Sequence, residues 1–390
     1  MNFFHKRTAF TLVILIIFCS ILIENQAVVS LNRVYWPTEE WQYTSPEEQQ
    51  IDSTILTNMV EYLDEESIFV DSILIARHGF VVFEDYFIGS SPEYKHVLWS
   101  VTKSFISALV GIALDKGYLE STNQKALDFF PNITFYNPDP RKSNITIENL
   151  LTMSTGLEWT DEVNYFPMVT SNNQIEYAFS RPMIQDPGAV WNYDTGGTHI
   201  LSAIIEEATG NSTLEFAKEH LFDPIGISNY TWSQDKQGYY FGGFGIYMTA
   251  RDMARFGYLY LNNGTWDGKQ IISSDWIENS TKPSWSLTAD GALSYGYLWW
   301  LRPNLGFYGA KGRYSQMIYV IPKYDIVVTF TSNIEPGTYD TDYLIENYVI
   351  PAVEDFSESV KISFGIPFII VFMFIVNSRL RKKKKNEIVH

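Results

Sequence analysis

The chain has 390 residues, 46% hydrophobic and 16% aromatic, with a formal net charge of −17 and one cysteine, Cys19. Its length allows a large core in one domain or two intimate ones. Its acidity excludes nucleic acid as a partner, because a polyanion would be repelled, and a lone cysteine excludes a disulfide framework.

Residues 1–27 begin MNFFHKRTAFTLVILIIFCSILI, in which Lys6 and Arg7 precede an apolar run. That is the pattern of a signal peptide or an uncleaved N-terminal anchor. Asn25 makes cleavage after Ala27 a poor site, and Phe18 before Cys19 does not suit a lipid-modified cysteine. Residues 28–50 form a leading arm rich in Trp, Tyr and Glu. The stretch ILIARHGFVVFEDYF, 73–87, shows two β-rich runs broken at His78-Gly79, which predicts a hairpin.

HVLWSVTKSFISALVGIALDKGYL, 96–119, is apolar on nearly every helical face and stops at Gly117, so it predicts a buried helix. One polar stripe remains: Ser100, Lys103, Ser104 and Ser107, at i, i+3, i+4 and i+7. Burying an ammonium costs several kcal/mol unless it is paired or sheds its proton. A desolvated Lys103 can take the proton of Ser100 and turn a weak nucleophile into a usable one. Equally open at this point is a Lys103 that snorkels into solvent beside a Ser100 that only caps the helix. Ser233 and Lys236 repeat the spacing in a polar, turn-like segment, which makes them a control.

From 119 to about 238 the pattern is helical and loop-like, including ITIENLLTMSTGLEW and THILSAIIEEATG. After the amphipathic TARDMARFGYLYLNNG, residues 296–310 and 313–333 predict three strand runs with turns at Pro303-Asn304 and Pro322-Lys323. Strands near both ends with helices between predict an α+β fold: an antiparallel β-sheet flanked by helices, with an inserted mostly helical lobe. Residues 28–360 form this domain. Residues 361–380 hold the uncharged ISFGIPFIIVFMFIV, whose fifteen residues reach roughly 22 Å, so a single-pass membrane helix needs its flanks. The basic tail, 381–390, stays cytoplasmic and puts the domain outside the cell membrane. Six Asn-x-Ser/Thr sites, at Asn132, Asn144, Asn211, Asn229, Asn263 and Asn279, agree with export.

Opposite the helix stripe, DPGAVWNYDTGG, 186–197, offers Tyr193 as a proton carrier, whose phenolate a nearby lysine ammonium would favour. Ser100-Val101-Thr102-Lys103, then Tyr193-Asp194-Thr195, then Gly309-Ala310-Lys311-Gly312 resemble, in order and spacing, the serine β-lactamase and penicillin-binding-protein superfamily. The likeness is greatest to the class C β-lactamase-related branch of esterases, D-aminopeptidases and 6-aminohexanoate-dimer hydrolases, and covers most of 65–335.

The resemblance implies Ser100 as acylated nucleophile, Lys103 as its base and Tyr193 as proton relay. It also implies an oxyanion hole from the backbone N–H groups of Ser100 and Arg313, and substrate contacts from Thr195, Lys311 and Gly312. Two positions depart from the family. Thr195 stands where Asn or Ser is usual, and Ala310 stands where a basic residue usually binds a substrate carboxylate. The second departure turns expectation from β-lactams and D-Ala-D-Ala peptides toward neutral esters or amides. Lys311 can project out of the site, since strand neighbours alternate faces.

The expected protein is therefore a membrane-anchored serine hydrolase acting through an acyl-enzyme on a small-molecule or peptide-like ester or amide. Its membrane partner is engaged through the C-terminal helix. No cofactor and no metal are expected: His78, His96, His199 and His220 lack ligand spacing and read as structural. The alternatives are a catalytically silent, membrane-tethered binding domain of the same fold, or a β-lactamase or D-aminopeptidase.

Overall fold

The structure, a computed structural model, describes residues 35–87, 89–335 and 339–356. The leader expected over 1–27, the membrane helix over 361–380 and the tail over 381–390 lie outside the described residues. Among the described residues no helix is long and apolar enough to cross a membrane.

Helix α1 (Ser53–Glu65) is capped by Asp52, which accepts from the Thr54 N–H at 2.8 Å. It leads into the predicted hairpin, β1 (Val70–Arg77) and β2 (Phe80–Tyr86). The turn needs φ of +52° at His78 and +90° at Gly79, and a Cβ on Gly79 would lie 2.6 Å from the Tyr258 hydroxyl, so only glycine fits. Strand β3 (His96–Val97) precedes α2 (Val101–Asp115), which is buried from Val101 to Ala113. The inserted lobe follows, with α3 (Ile147–Leu151), α4 (Asp161–Thr170), α5 (Gln174–Phe179) and α6 (Thr195–Thr209). Strands β4 (Tyr230–Trp232) and β5 (Ile246–Met248) join β3 in the order β3-β5-β4.

After α7 (Ala250–Leu261) come the short pair β6 (Thr265–Trp266) and β7 (Lys269–Gln270), then β8 (Trp285–Ser286) and β9 (Ser294–Tyr295). The last four strands are β10 (Trp300–Arg302), β11 (Phe307–Gly312), β12 (Gln316–Ile321) and β13 (Ile326–Ser332). The main sheet runs β2-β1-β13-β12-β11-β10-β9-β8. Its centre is the antiparallel pairing of β1 with β13, so both ends of the domain build it, as the strand placement predicts.

The three C-terminal runs predicted from sequence are four strands. A tight turn, Arg313–Ser315, with Tyr314 and Ser315 at φ of 60° and 59°, divides the middle run between the two proline turns into β11 and β12. Strands β8 and β9 went unpredicted because two residues are too few to show a period.

Alternation along the strands feeds two cores. Leu74, Ala76, Ile318, Val320 and Val327 face α2 and α7. Ile73, Ile75, Tyr319, Val328 and Phe330 face α1 and the last turns of the chain around Leu344 and Val349. With both faces covered, β12 is buried throughout, and its period-2 signal disappears into a continuous apolar run. Helix α7 approaches the sheet most closely at Gly257, where a Cβ would stand 2.7 Å from Val327 and 2.8 Å from Ile318.

Candidate active site

Ser100 occupies the N-cap position of α2, yet its hydroxyl caps nothing. Its oxygen instead accepts from the Lys103 ammonium at 2.9 Å. Lys103 is 1% exposed, so it does not snorkel; its second hydrogen bond goes to the carbonyl of Gly243 at 2.8 Å. Burial pulls the amine down to about 8, although the carboxylates of Asp161 and Asp194 resist by favouring the ammonium. Just before the pair, Trp99 holds φ at +47°, a conformation costly for a bulky side chain, and its ring packs 5.7 Å from that of Tyr314.

The rest of the stripe divides. Ser104 donates to the Leu298 carbonyl at 2.7 Å, and Ser107 is fully buried further along the helix. The control behaves as a surface pair: Ser233 and Lys236 are exposed, and Lys236 bonds the Thr170 carbonyl.

Tyr193 stands one residue ahead of Asp194, the cap of α6, whose carboxylate accepts from the Gly197 N–H at 2.9 Å. Burial raises the Asp194 carboxyl to about 6. The Lys103 nitrogen lies 4.9 Å from the centre of the Tyr193 ring, and Trp300 stacks on that ring at 6.0 Å. A favoured phenolate is not what forms. Burial raises the Tyr193 phenol, Asp161 adds to the rise, and a hydrogen bond with Ser100 offsets only part of it. Lys103 faces the ring, where its charge stabilises a neutral quadrupole rather than an oxyanion.

Gly312 brings the end of β11 against the entrance of α2: a Cβ there would stand 2.3 Å from the Leu98 carbonyl oxygen. This contact sets Arg313 beside Ser100 in one cleft of about 240 Å³, lined by Ser100, Tyr193, Trp300, Lys311, Gly312 and Arg313 among others. Among the described residues, neither the Ser100 nor the Arg313 N–H donates to a backbone carbonyl in a turn, loop or cap. Lys311 borders the cleft, but its ammonium is tied to Asp342, which also accepts from Arg302 at 2.5 Å and Tyr319 at 2.7 Å. Burial alone would raise the Asp342 carboxyl; these cations and hydrogen bonds outweigh it and hold it below the usual carboxylate range.

Ala310 is fully buried in the core facing α2, which leaves no cation at that position. Thr195 does not border the cleft. Its hydroxyl donates to Asp161 at 2.8 Å, behind Lys103, because residue 195 is already the first residue of α6.

Sequence reasoning missed Asp161, Gly243, Trp300 and Asp342. Asp161 also accepts from the Trp159 indole at 2.5 Å, and Trp159 in turn closes on Gly196, where a Cβ would lie 2.6 Å from the ring. A carboxylate at the first position of an amphipathic helix gave a signal for a helix start, not for a site. Among the described residues no group of three or more His, Cys, Asp or Glu could hold a metal ion.

A sequence profile described as Beta-lactamase matches residues 56–348. The chain is 24% identical over 312 residues to the 6-aminohexanoate-dimer hydrolase of Paenarthrobacter ureafaciens, spanning 73% of this chain and 78% of that one. The octameric penicillin-binding protein homologue from Pyrococcus abyssi superposes with a TM-score of 0.62 at 24% identity, over 78% of this chain and 77% of that one. A family VIII carboxylesterase superposes with a TM-score of 0.60 at 16% identity, over 76% and 96%.

Proposed function

Since the chain belongs to the Beta-lactamase family and is a hydrolase of that superfamily with esterase and amidase relatives, we propose that it cleaves a small neutral ester or amide through an acyl-enzyme on Ser100. The single observation that carries this reading is the buried Lys103 amine at hydrogen-bond distance from the Ser100 hydroxyl.

Neutral Lys103 takes the Ser100 proton as Oγ attacks the carbonyl carbon, and the developing oxyanion is received by the N–H groups of Ser100 and Arg313. Protonated Tyr193 gives its proton to the leaving oxygen or nitrogen, which fits a phenol held neutral by burial, while Lys103 keeps the proton it took from Ser100. Water then attacks the acyl carbon with the same groups in reverse roles. The absence of a cation at Ala310 supports a substrate without the family's usual carboxylate, while Trp300 and Tyr193 offer an apolar wall. We place the enzyme outside the cell, tethered through the apolar segment within 361–380, because the leader and the basic tail call for that orientation.

The test is labelling of the purified ectodomain by a fluorophosphonate and turnover of p-nitrophenyl acetate, with Ser100→Ala beside it. Labelling and turnover that vanish in the variant support the enzyme. A wild type inert to acylating probes, labelled penicillin included, would make it a silent domain.

A further inference from the structure

A second buried pair lies behind Lys103 and has no part in the chemistry above. His199, in the second turn of α6, meets Asp235, in the loop after β4, at 3.0 Å, with both side chains closed to solvent. Asp235 also accepts from the N–H groups of Gln237 at 2.8 Å and Tyr239 at 3.0 Å. Burial would raise its carboxyl, but the hydrogen bonds and the imidazole outweigh burial and hold it below its usual range.

The other ring nitrogen, Nδ1, takes a long hydrogen bond of 3.4 Å from the Gly242 N–H. That contact makes Nδ1 the acceptor toward Gly242 and leaves Nε2 to donate to Asp235, so the ring bridges an anchored carboxylate to the loop at Gly242.

This loop is pressed on α6. A Cβ on Gly242 would lie 2.0 Å from the Thr198 oxygen, and one on Gly243 2.6 Å from Thr195. Ser202, one turn past His199, donates to the Tyr240 carbonyl at 2.6 Å. The next carbonyl but two, that of Gly243, is the one that accepts from Lys103. A bridge made only for packing would be cheaper as an apolar pair, and the neighbouring Phe241 and Phe244 already stack at 4.3 Å in that manner.

We propose that His199 and Asp235 are positioning residues for the catalytic amine: they clamp the 240–243 loop on α6 so that the Gly243 carbonyl takes one N–H of Lys103 and leaves its lone pair aimed at Ser100. The inference rests on the reading of Ser100 and Lys103 above. An amine with two N–H groups and one lone pair is oriented once one N–H is held, and misorientation at this point slows proton transfer without changing substrate contacts.

The test compares His199→Phe, His199→Gln and Asp235→Asn with wild type by thermal melting, by kcat and KM on p-nitrophenyl acetate, and by the pH profile of acylation. In folded His199→Phe, kcat falls about 10- to 100-fold with KM changed less than about 3-fold. The rising limb of the profile moves to lower pH, because a lost carbonyl acceptor no longer stabilises the ammonium, while Ser100, Tyr193, Asp161 and Asp194 still face it. His199→Gln, which can accept from Gly242 and donate to Asp235, recovers most of the rate. Wild-type kcat with an unmoved limb in folded His199→Phe overturns the proposal. If that variant does not fold, the same unchanged kcat and limb in Asp235→Asn overturn it. Ser100→Ala as active as wild type would instead sink the parent reading, so the two failures are distinguishable.

Discussion

Acylation of Ser100 should follow the fraction of Lys103 that is neutral. With burial bringing the amine from its ordinary 10.5 to about 8, about one molecule in ten carries a free lone pair at pH 7, against roughly one in three thousand for a solvated lysine. That gain of about 300-fold corresponds to ~3 kcal/mol of barrier. Rates of fluorophosphonate labelling, measured from about pH 6 to 10, should rise with a slope near one and level off near pH 8, since the active form is the deprotonated one. Replacing Asp161 by Asn should move the limb to lower pH, because Asp161 is the stronger of the two carboxylates that hold the proton on Lys103, and Asn still accepts from Thr195 or Trp159. A limb near the ordinary histidine value of about 6.5, indifferent to Asp161→Asn, would refute the assignment of Lys103 as base.

Lys103→Met should abolish labelling, by at least about 10³-fold, yet melt higher at pH 7. The folded-state value lies below the unfolded one, so the burial cost is full below pH 8 and fades as pH rises toward 10.5; the variant's advantage of about 1–3 kcal/mol should shrink over that window in denaturation curves. Gly312→Ala should cost at least about 100-fold in kcat, read on a short-chain ester, because the new methyl meets the Leu98 carbonyl and pushes the Arg313 N–H away from Ser100. Asp342→Ala should destabilise by about 3 kcal/mol in urea unfolding, because it leaves Lys311 and Arg302 facing each other without their shared anion.

Where chemistry and period share one element, the sequence was readable. Ser100 and Lys103 are one helical turn apart, and the apolar residues on every side of α2 announce that the turn is buried. The sheet from both ends was equally legible, because strand patterns at 73–87 and 313–333 flank a helical middle. Asp161, Trp300 and Arg302 belong to a helix start and a three-residue strand, where nothing local distinguishes a site residue from a structural one. The protonation of Tyr193 was misjudged for a related reason: nearness to a lysine is a matter of spacing, but whether the cation meets the oxygen or the ring face depends on how α2 and α6 pack.

By itself, then, the chain determined a hydroxyl and an amine on one face of a dry helix, since a 3.6-residue repeat and side-chain polarity act within a few residues. Only the tertiary structure decided what surrounds that amine. The carbonyl that holds it comes from Gly243, 140 residues away, and the carboxylate of Asp161 and the imidazole bridge of His199 arrive on other elements. Those neighbours are set by the packing of glycine loops and helices against one another, and among them burial and the carboxylates of Asp161 and Asp194 fix how readily the amine gives up its proton.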